Sequence, residues 1–239
     1  MRIARLLCVL AFPVFPASAA VDLHFFPASS YDANASVMDA TLGISGYSIE
    51  TFESASMLAG LSLMLSGGGV PDTTFVNTLP ALFSTGVCGP LTSDAPWDGT
   101  HAVINTPTNS LDSCTTPNPV NIALKVSVDY APGAKSLGIG LGNFQTDINN
   151  HELFVNGQDM GTVEALAGAN WTSGYGRNTY LRIDGTGGTV ITSVALQNLT
   201  STDVLIFDHI AVSPVPEPSS FGTAALGTLL LLSRARRRP

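Results

Sequence analysis

An antiparallel β-sandwich of about ten short strands is the fold this sequence predicts, and three observations predict it. Apolar residues recur with period two along most of the second half, as half-buried strands require. Glycine, 23 of the 239 residues, gathers in short turns between those runs. Helix-like content is confined to one short segment near the start. Many short strands joined by Gly-rich turns with almost no helix leave a two-layer all-β domain as the architecture that buries the apolar faces.

Taken in order, residues 21–26 form a first apolar run, and residues 32–42 (DANASVMDATL) open on Asp or Asn and stop at Gly43, as a short helix does. Residues 47–54 (YSIETFES) alternate, with Ile49 on the face of Tyr47 and Phe52 on that of Glu50. Leu61, Leu63 and Leu65 follow with period two until Gly67-Gly68-Gly69 ends the run. Residues 73–77 suggest a further strand. The stretch 80–119 is dominated by turn formers, interrupted by a strand at 101–105 (HAVIN).

The pattern is cleaner beyond it. Residues 121–130 (NIALKVSVDY) alternate strongly, and residues 136–144 (SLGIGLGNF) put Leu137, Ile139 and Leu141 on one face with small residues opposite. Residues 153–156 end at Asn156-Gly157, a hairpin signal because both positions tolerate positive φ. Residues 180–184, 190–197 and 204–212 complete the set. In the last run, VLIFDHIAV, alternation places Val204, Ile206, Asp208, Ile210 and Val212 on one side, and Leu205, Phe207, His209 and Ala211 on the other. Both sides are mostly apolar, so this strand is expected to be covered on both faces. A carboxylate at Asp208 must then be paired, hydrogen-bonded or metal-bound, since burying it alone costs roughly several kcal/mol.

The two ends of the chain read as addresses. Arg2 and Arg5 precede an apolar stretch, 6–15, broken by Pro13, and Ala17-Ser18-Ala19 supplies the small residues that a signal peptidase needs. A signal peptide over 1–19, cleaved after Ala19, is expected. At the other end, 215–239 consists of Val215-Pro216-Glu217-Pro218-Ser219, an apolar segment at 221–232, and a basic tail, 234–239, with Arg234, Arg236, Arg237 and Arg238. Twelve residues fall short of the roughly 20 that span a bilayer as a helix. The arginines are held on the cytoplasmic side. Transient insertion in the inner membrane, followed by processing, is the expected fate.

This three-part tail resembles that of the PEP-CTERM proteins of bacteria that make extracellular polysaccharide. The resemblance rests on Pro216, Glu217 and Pro218 with their flanks, the apolar run and the arginines. It implies recognition and removal of the tail by an exosortase-type transpeptidase. It also implies export to the cell surface, outer envelope or extracellular matrix of a Gram-negative-type bacterium. It covers about a tenth of the chain and speaks to sorting alone.

Trimming both ends leaves 20–214, 195 residues, a comfortable size for one domain. That domain keeps four basic residues, Lys125, Lys135, Arg177 and Arg182, against 17 acids, a formal −13 with histidines neutral. Such a surface repels nucleic acid and anionic lipid and suits cations or neutral sugars. Cys8 leaves with the signal peptide, and Cys88 and Cys114 remain as an even pair in an oxidising compartment. A disulfide between them is expected, stabilising the loop-rich region by about 3–4 kcal/mol in the chain-entropy model.

A second resemblance concerns the domain itself. The IETFES segment, Trp97-Asp98-Gly99-Thr100-His101-Ala102, the GIGLGNF strand and the terminal FDHIAV look like jelly-roll modules of the galactose-binding and carbohydrate-binding-module type. The resemblance implies an all-β antiparallel jelly-roll sandwich. It also implies a structural calcium ion flanked by an early-strand acid and a last-strand acid, which implicates Glu53, with Glu50 as its alternative, Asp98 and Asp208. Hard oxygen ligands from several carboxylates are what calcium requires, but no Asp-x-Asp-x-Asp-Gly loop is present.

Motifs for catalysis are few. None of His24, His101, His151 and His209 belongs to a His-Glu-x-x-His motif, and no Gly-x-Ser-x-Gly elbow is present. Gly138-Ile139-Gly140-Leu141-Gly142 has no helix after it and no βαβ frame, so it reads as a strand with a small-residue face. Exposed aromatics are the remaining signal. Trp171-Thr172-Ser173-Gly174-Tyr175-Gly176-Arg177-Asn178 gathers two aromatic rings, an arginine and an amide in one Gly-rich loop. Sugar rings stack on aromatic faces while Arg and amides bond their hydroxyls, so Trp171, Tyr175, Arg177 and Asn178 are the candidate saccharide contacts, with Trp97 a lesser one. The competing reading makes Trp171 a core plug with Tyr175 and Arg177 on a turn.

The sequence thus leads to a non-catalytic, exported surface or matrix protein associated with exopolysaccharide. Its alternatives are a secreted carbohydrate-active enzyme, hydrolase or lyase, on a jelly-roll fold, and a self-assembling surface protein that binds no sugar.

Overall fold

In the computed structural model, the described residues are 20–69, 71–78, 82–84, 95–105, 124–144, 150–199 and 205–214. Thirteen strands and two short α-helices lie among them. The strands are β1 (Val21–Pro27), β2 (Ser48–Glu50), β3 (Leu61–Ser66), β4 (Thr73–Val76), β5 (Leu82–Ser84), β6 (His101–Ile104) and β7 (Lys125–Ala134). They continue with β8 (Ser136–Gly142), β9 (His151–Val155), β10 (Gln158–Thr162), β11 (Arg177–Gly185), β12 (Ile191–Asn198) and β13 (Ile206–Val212). The helices are α1 (Ala35–Leu42) and α2 (Val163–Ala167). All strand pairings are antiparallel.

The strands form two sheets. One has the order β1-β11-β8-β13-β6-β5, with β2 also paired to β13; the other has the order β10-β9-β12-β7-β3-β4. The period-two faces meet between them. Leu61, Leu63 and Leu65 of β3, Val126 and Val128 of β7, and Leu153 and Val155 of β9 pack against Leu137, Ile139 and Leu141 of β8 and Leu181 and Ile183 of β11. This is the all-β sandwich that alternation predicts.

Local chemistry accounts for the connections. Asn34 accepts a hydrogen bond from the Ser36 backbone at the start of α1, and Gly43 ends the helix at φ 70°. Asn156 and Gly157 both have positive φ, 50° and 78°, and Val155 pairs directly with Gln158, so they make the two-residue hairpin turn. Where the expectation of a strand over 47–54 meets the structure, only Ser48–Glu50 is extended. The buried Glu50 carboxylate accepts hydrogen bonds from the backbone N–H of Phe52 and Leu58, which folds the chain into a loop with Phe52 at φ 58°. β5 lies in a stretch expected to be turns, and the five-residue α2 is too short to leave a periodic signal.

The last strand departs from simple alternation. All seven residues of β13 are buried, as a covered strand should be. Yet Phe207 and Ile210 both face the inter-sheet core, and the pairing with β8 shifts between Asp208 and Ala211. A bulge with His209 at φ 48° produces the change of phase. It breaks the expected line of Ile206, Asp208 and Ile210 on one face, so that Ile210 rejoins the inter-sheet core while Ala211 packs in the outer cluster.

Candidate functional site

A second, smaller core covers the outer face of the β13-containing sheet: Met38, Leu42, Ile44, Trp97, Tyr180 and Ala211. The glycines of β8 make room for it. A Cβ on Gly140 would stand 2.4 Å from the Trp97 ring, one on Gly138 2.4 Å from the Tyr180 hydroxyl, and one on Gly142 2.6 Å from the Ala95 carbonyl oxygen. The small-residue face of that strand is therefore a trough filled by two aromatic side chains and the 95–97 backbone. Trp97 is fully buried, its indole N–H donates to the Leu141 carbonyl at 3.0 Å, and its ring meets Tyr180 edge-on at 5.4 Å. It is a core residue with no face left for a sugar.

Carboxylates fasten this cover. Asp208 Oδ2 accepts from the backbone N–H of Trp97 and of Asp98, each at 2.7 Å, and Oδ1 accepts from the N–H of His209. Burial pushes the Asp208 carboxyl well above its usual range, the three N–H donors oppose the shift, and the charge of Asp98 adds to it. His209, buried in the bulge, faces Asp98 through Nδ1 at 3.2 Å and Asp39 of α1 through Nε2 at 2.9 Å. The hydrogen bond from His209 holds the Asp98 carboxyl below the usual range against its own partial burial. Glu53 accepts from the backbone N–H of Thr100 and His101 and meets the His101 ring at 2.8 Å. Burial raises its carboxyl, and the His101 ring and the two N–H donors outweigh it to leave a net lowering.

The structure thus brings Asp208 of β13 against the segment that carries Asp98, and Glu53 against Thr100 and His101 further along that segment. Their oxygens are directed at N–H donors rather than at a common point. Among the described residues no group of three or more His, Cys, Asp or Glu side chains is arranged to hold a metal ion. Glu50 serves its own loop.

The saccharide candidates lie elsewhere, where the helical turn after α2 leads into β11. Trp171 is partly buried and stands edge-on to Phe144 at 5.6 Å. Asn178 is fully buried; its Oδ1 accepts from the Phe144 N–H, and its amide donates to the carbonyls of Phe144, Thr172 and Gly174. That side chain staples the loop to the end of β8 and has no hydroxyl of a ligand to meet. Arg177 lies over the Tyr31 ring at 3.3 Å. Tyr175 is 46% exposed, the one large ring of the loop that solvent reaches freely.

Beneath the loop lies a pair for which sequence reasoning had no signal: His151 and Glu164, both essentially inaccessible, with Nδ1 hydrogen-bonded to Oε1. They are 13 residues apart, across a hairpin, at a spacing no motif uses. Cys88 and Cys114, the sorting residues Pro216, Glu217 and Pro218, and residues 1–19 lie outside the described residues.

No protein-family model matches this chain, and comparison with curated proteins and with solved structures finds no match either.

Proposed function

We propose that this chain is an exported, non-catalytic β-sandwich of jelly-roll type, sorted by an exosortase and associated with extracellular polysaccharide. The single observation that carries the reading is the order of residues 215–239: a Pro-Glu-Pro motif, a largely apolar segment of twelve residues, then four arginines. The Arg-led apolar start with Ala17-Ser18-Ala19 supports the same itinerary.

Strand order supports the jelly-roll part. Counted as eight successive strands, β6 to β13 place the first, eighth, third and sixth side by side in one sheet, and the second, seventh, fourth and fifth in the other. A double Greek key of jelly-roll type interleaves its strands in this way, which supports the reading. The acidic surface suits a neutral glycan, and the Tyr175 ring with Arg177 stacked on Tyr31 is the part of the molecule best built to meet one.

Mass spectrometry of the protein recovered from its native envelope tests the sorting reading. New ends near Ala20 and Val215 support it; an intact chain through Pro239 overturns it. Retention on the organism's own matrix polysaccharide tests the binding reading, with loss in Tyr175→Ala as the expected result and equal retention as the contrary one.

A further inference from the structure

One pole of the sandwich, where β8 and β12 end and β9 and β11 begin, is unusually rich in buried polar side chains. Asn143, Asn150, His151, Asn178 and Asn198 are all at most 4% exposed. Most polar groups here are bound: Asn143 N–H to the Gly176 carbonyl, the Leu199 N–H to the Asn150 carbonyl, and Asn178 to the loop it staples. Two nitrogens are not. Among the described residues, His151 Nε2 and Trp171 Nε1 are buried without a hydrogen-bond partner. Both rings stand edge-on to Phe144, His151 at 4.6 Å and Trp171 at 5.6 Å. Buried polar atoms in native proteins nearly always have partners, so two orphans around one ring need an account.

The chemistry of the pair selects the missing partner. A carboxylate only accepts, so with Glu164 on Nδ1 that nitrogen carries the hydrogen. Nε2, with no acceptor near it among the described residues, is then a bare lone pair. The Trp171 indole only donates. A cation satisfies the first and not the second; an anion satisfies the second only and is opposed by Glu164. A neutral hydroxyl, at once donor and acceptor, satisfies either. Glu164 sits in the first turn of α2, and Trp171 ends the helical turn that follows it, so one short helical segment links the two nitrogens to the Tyr175 loop.

The geometry points to His151 and Trp171 as the inner hydrogen-bonding end of the site on the 171–178 loop, taking hydroxyl oxygens of a neutral saccharide, or water when no sugar is bound. This rests on the saccharide reading for the sugar but not for the water. Glu164 is the positioning residue that fixes the imidazole tautomer.

Nuclear magnetic resonance on the full chain in mild detergent, with ¹⁵N-labelled histidine and tryptophan, tests it. Without sugar, the Trp171 indole proton is expected to show transfer from bound water, and His151 Nε2 the shift of an unprotonated nitrogen that accepts a hydrogen bond. Titration with cellohexaose or maltohexaose is expected to move both signals together. Trp171→Phe, which keeps the ring contact with Phe144, and His151→Gln, which keeps a donor for Glu164, should each weaken binding about tenfold, the worth of one hydrogen bond.

Water at both nitrogens with no response to either sugar leaves the inference standing on water and counts against the saccharide reading. Sugar binding that both variants retain at full affinity overturns the inference and leaves that reading intact. Dry nitrogens that no sugar moves overturn it as well.

Discussion

The two cores of this protein are held together by different physics. Between the sheets, apolar side chains from alternate positions of β3, β7, β8, β9 and β11 interlock with no polar group needed. On the outer face of one sheet, Trp97, Tyr180, Met38, Leu42 and Ile44 form a cover that is sealed by acids: Asp208 on the Trp97 and Asp98 N–H groups, His209 between Asp39 and Asp98, Glu53 on Thr100 and His101. The first core depends on area removed from water, which any well-shaped apolar residue supplies. The second depends on individual buried hydrogen bonds, for which an acceptor of similar size is no substitute unless it also meets the N–H donors.

The contrast can be broken from the top down. Phe207→Ala, deep in the inter-sheet core and edge-on to Phe144, should cost about 3–5 kcal/mol in a urea titration with no local signature. Asp208→Ala should cost about 3 kcal/mol, because it strands three backbone donors that the fold cannot re-expose to water. In a Trp171→Phe background, where Trp97 is the sole reporter, its fluorescence should redden before the global transition. A single coincident transition would merge the two cores into one cooperative unit.

Gly140→Ala sharpens the same point at a smaller scale. Its Cβ would stand within 3 Å of three Trp97 atoms, so about 1–3 kcal/mol is expected, with the Trp97 emission again the first to change. The same exchange at Gly157 meets no neighbouring atom, and its cost should come from the positive φ alone.

Acid is a gentler probe. The Asp98 carboxyl is held below its ordinary range by His209, so its contribution is present above the unfolded carboxylate range and is lost as pH falls through the lowered folded value. Asp208 has the opposite sign: its raised carboxyl opposes folding when charged, and protonation relieves that cost as pH falls. The stability gap between the native chain and Asp98→Asn, measured by urea midpoint, should therefore close below about pH 4. A gap independent of pH would remove Asp98 from the seal. The smallest effect belongs to Tyr175→Ala, which should leave the unfolding free energy unchanged to within about 0.5 kcal/mol while altering polysaccharide retention.

How much was readable follows the same division. Leu61, Leu63 and Leu65, or Leu137, Ile139 and Leu141, announce their face because the pleat repeats every two residues, and Asn156-Gly157 announces its turn because the backbone there demands positive φ. Trp97 carried no such mark. Beside Asp98 in a Gly- and Pro-rich stretch it looked like a displayed ring, and it is buried because β8 offers a trough of glycines 41 residues further along. Asn178 is ambiguous in the same way: an amide in a Gly-rich loop is equally suited to bind a sugar or to hold the loop, and the Phe144 backbone decides for the second.

By itself, then, the sequence determined most of the strands, the inward faces of those that alternate, the caps of α1 and the tight hairpin, since each depends on residues within a few positions of one another. Only the tertiary structure decided that β13 bulges at Asp208, that this carboxylate meets N–H groups 110 and 111 residues away, and that His151 lies beneath the aromatic loop. Those contacts are between segments distant in the chain, and no local pattern of side chains encodes which distant donor a buried acceptor will find.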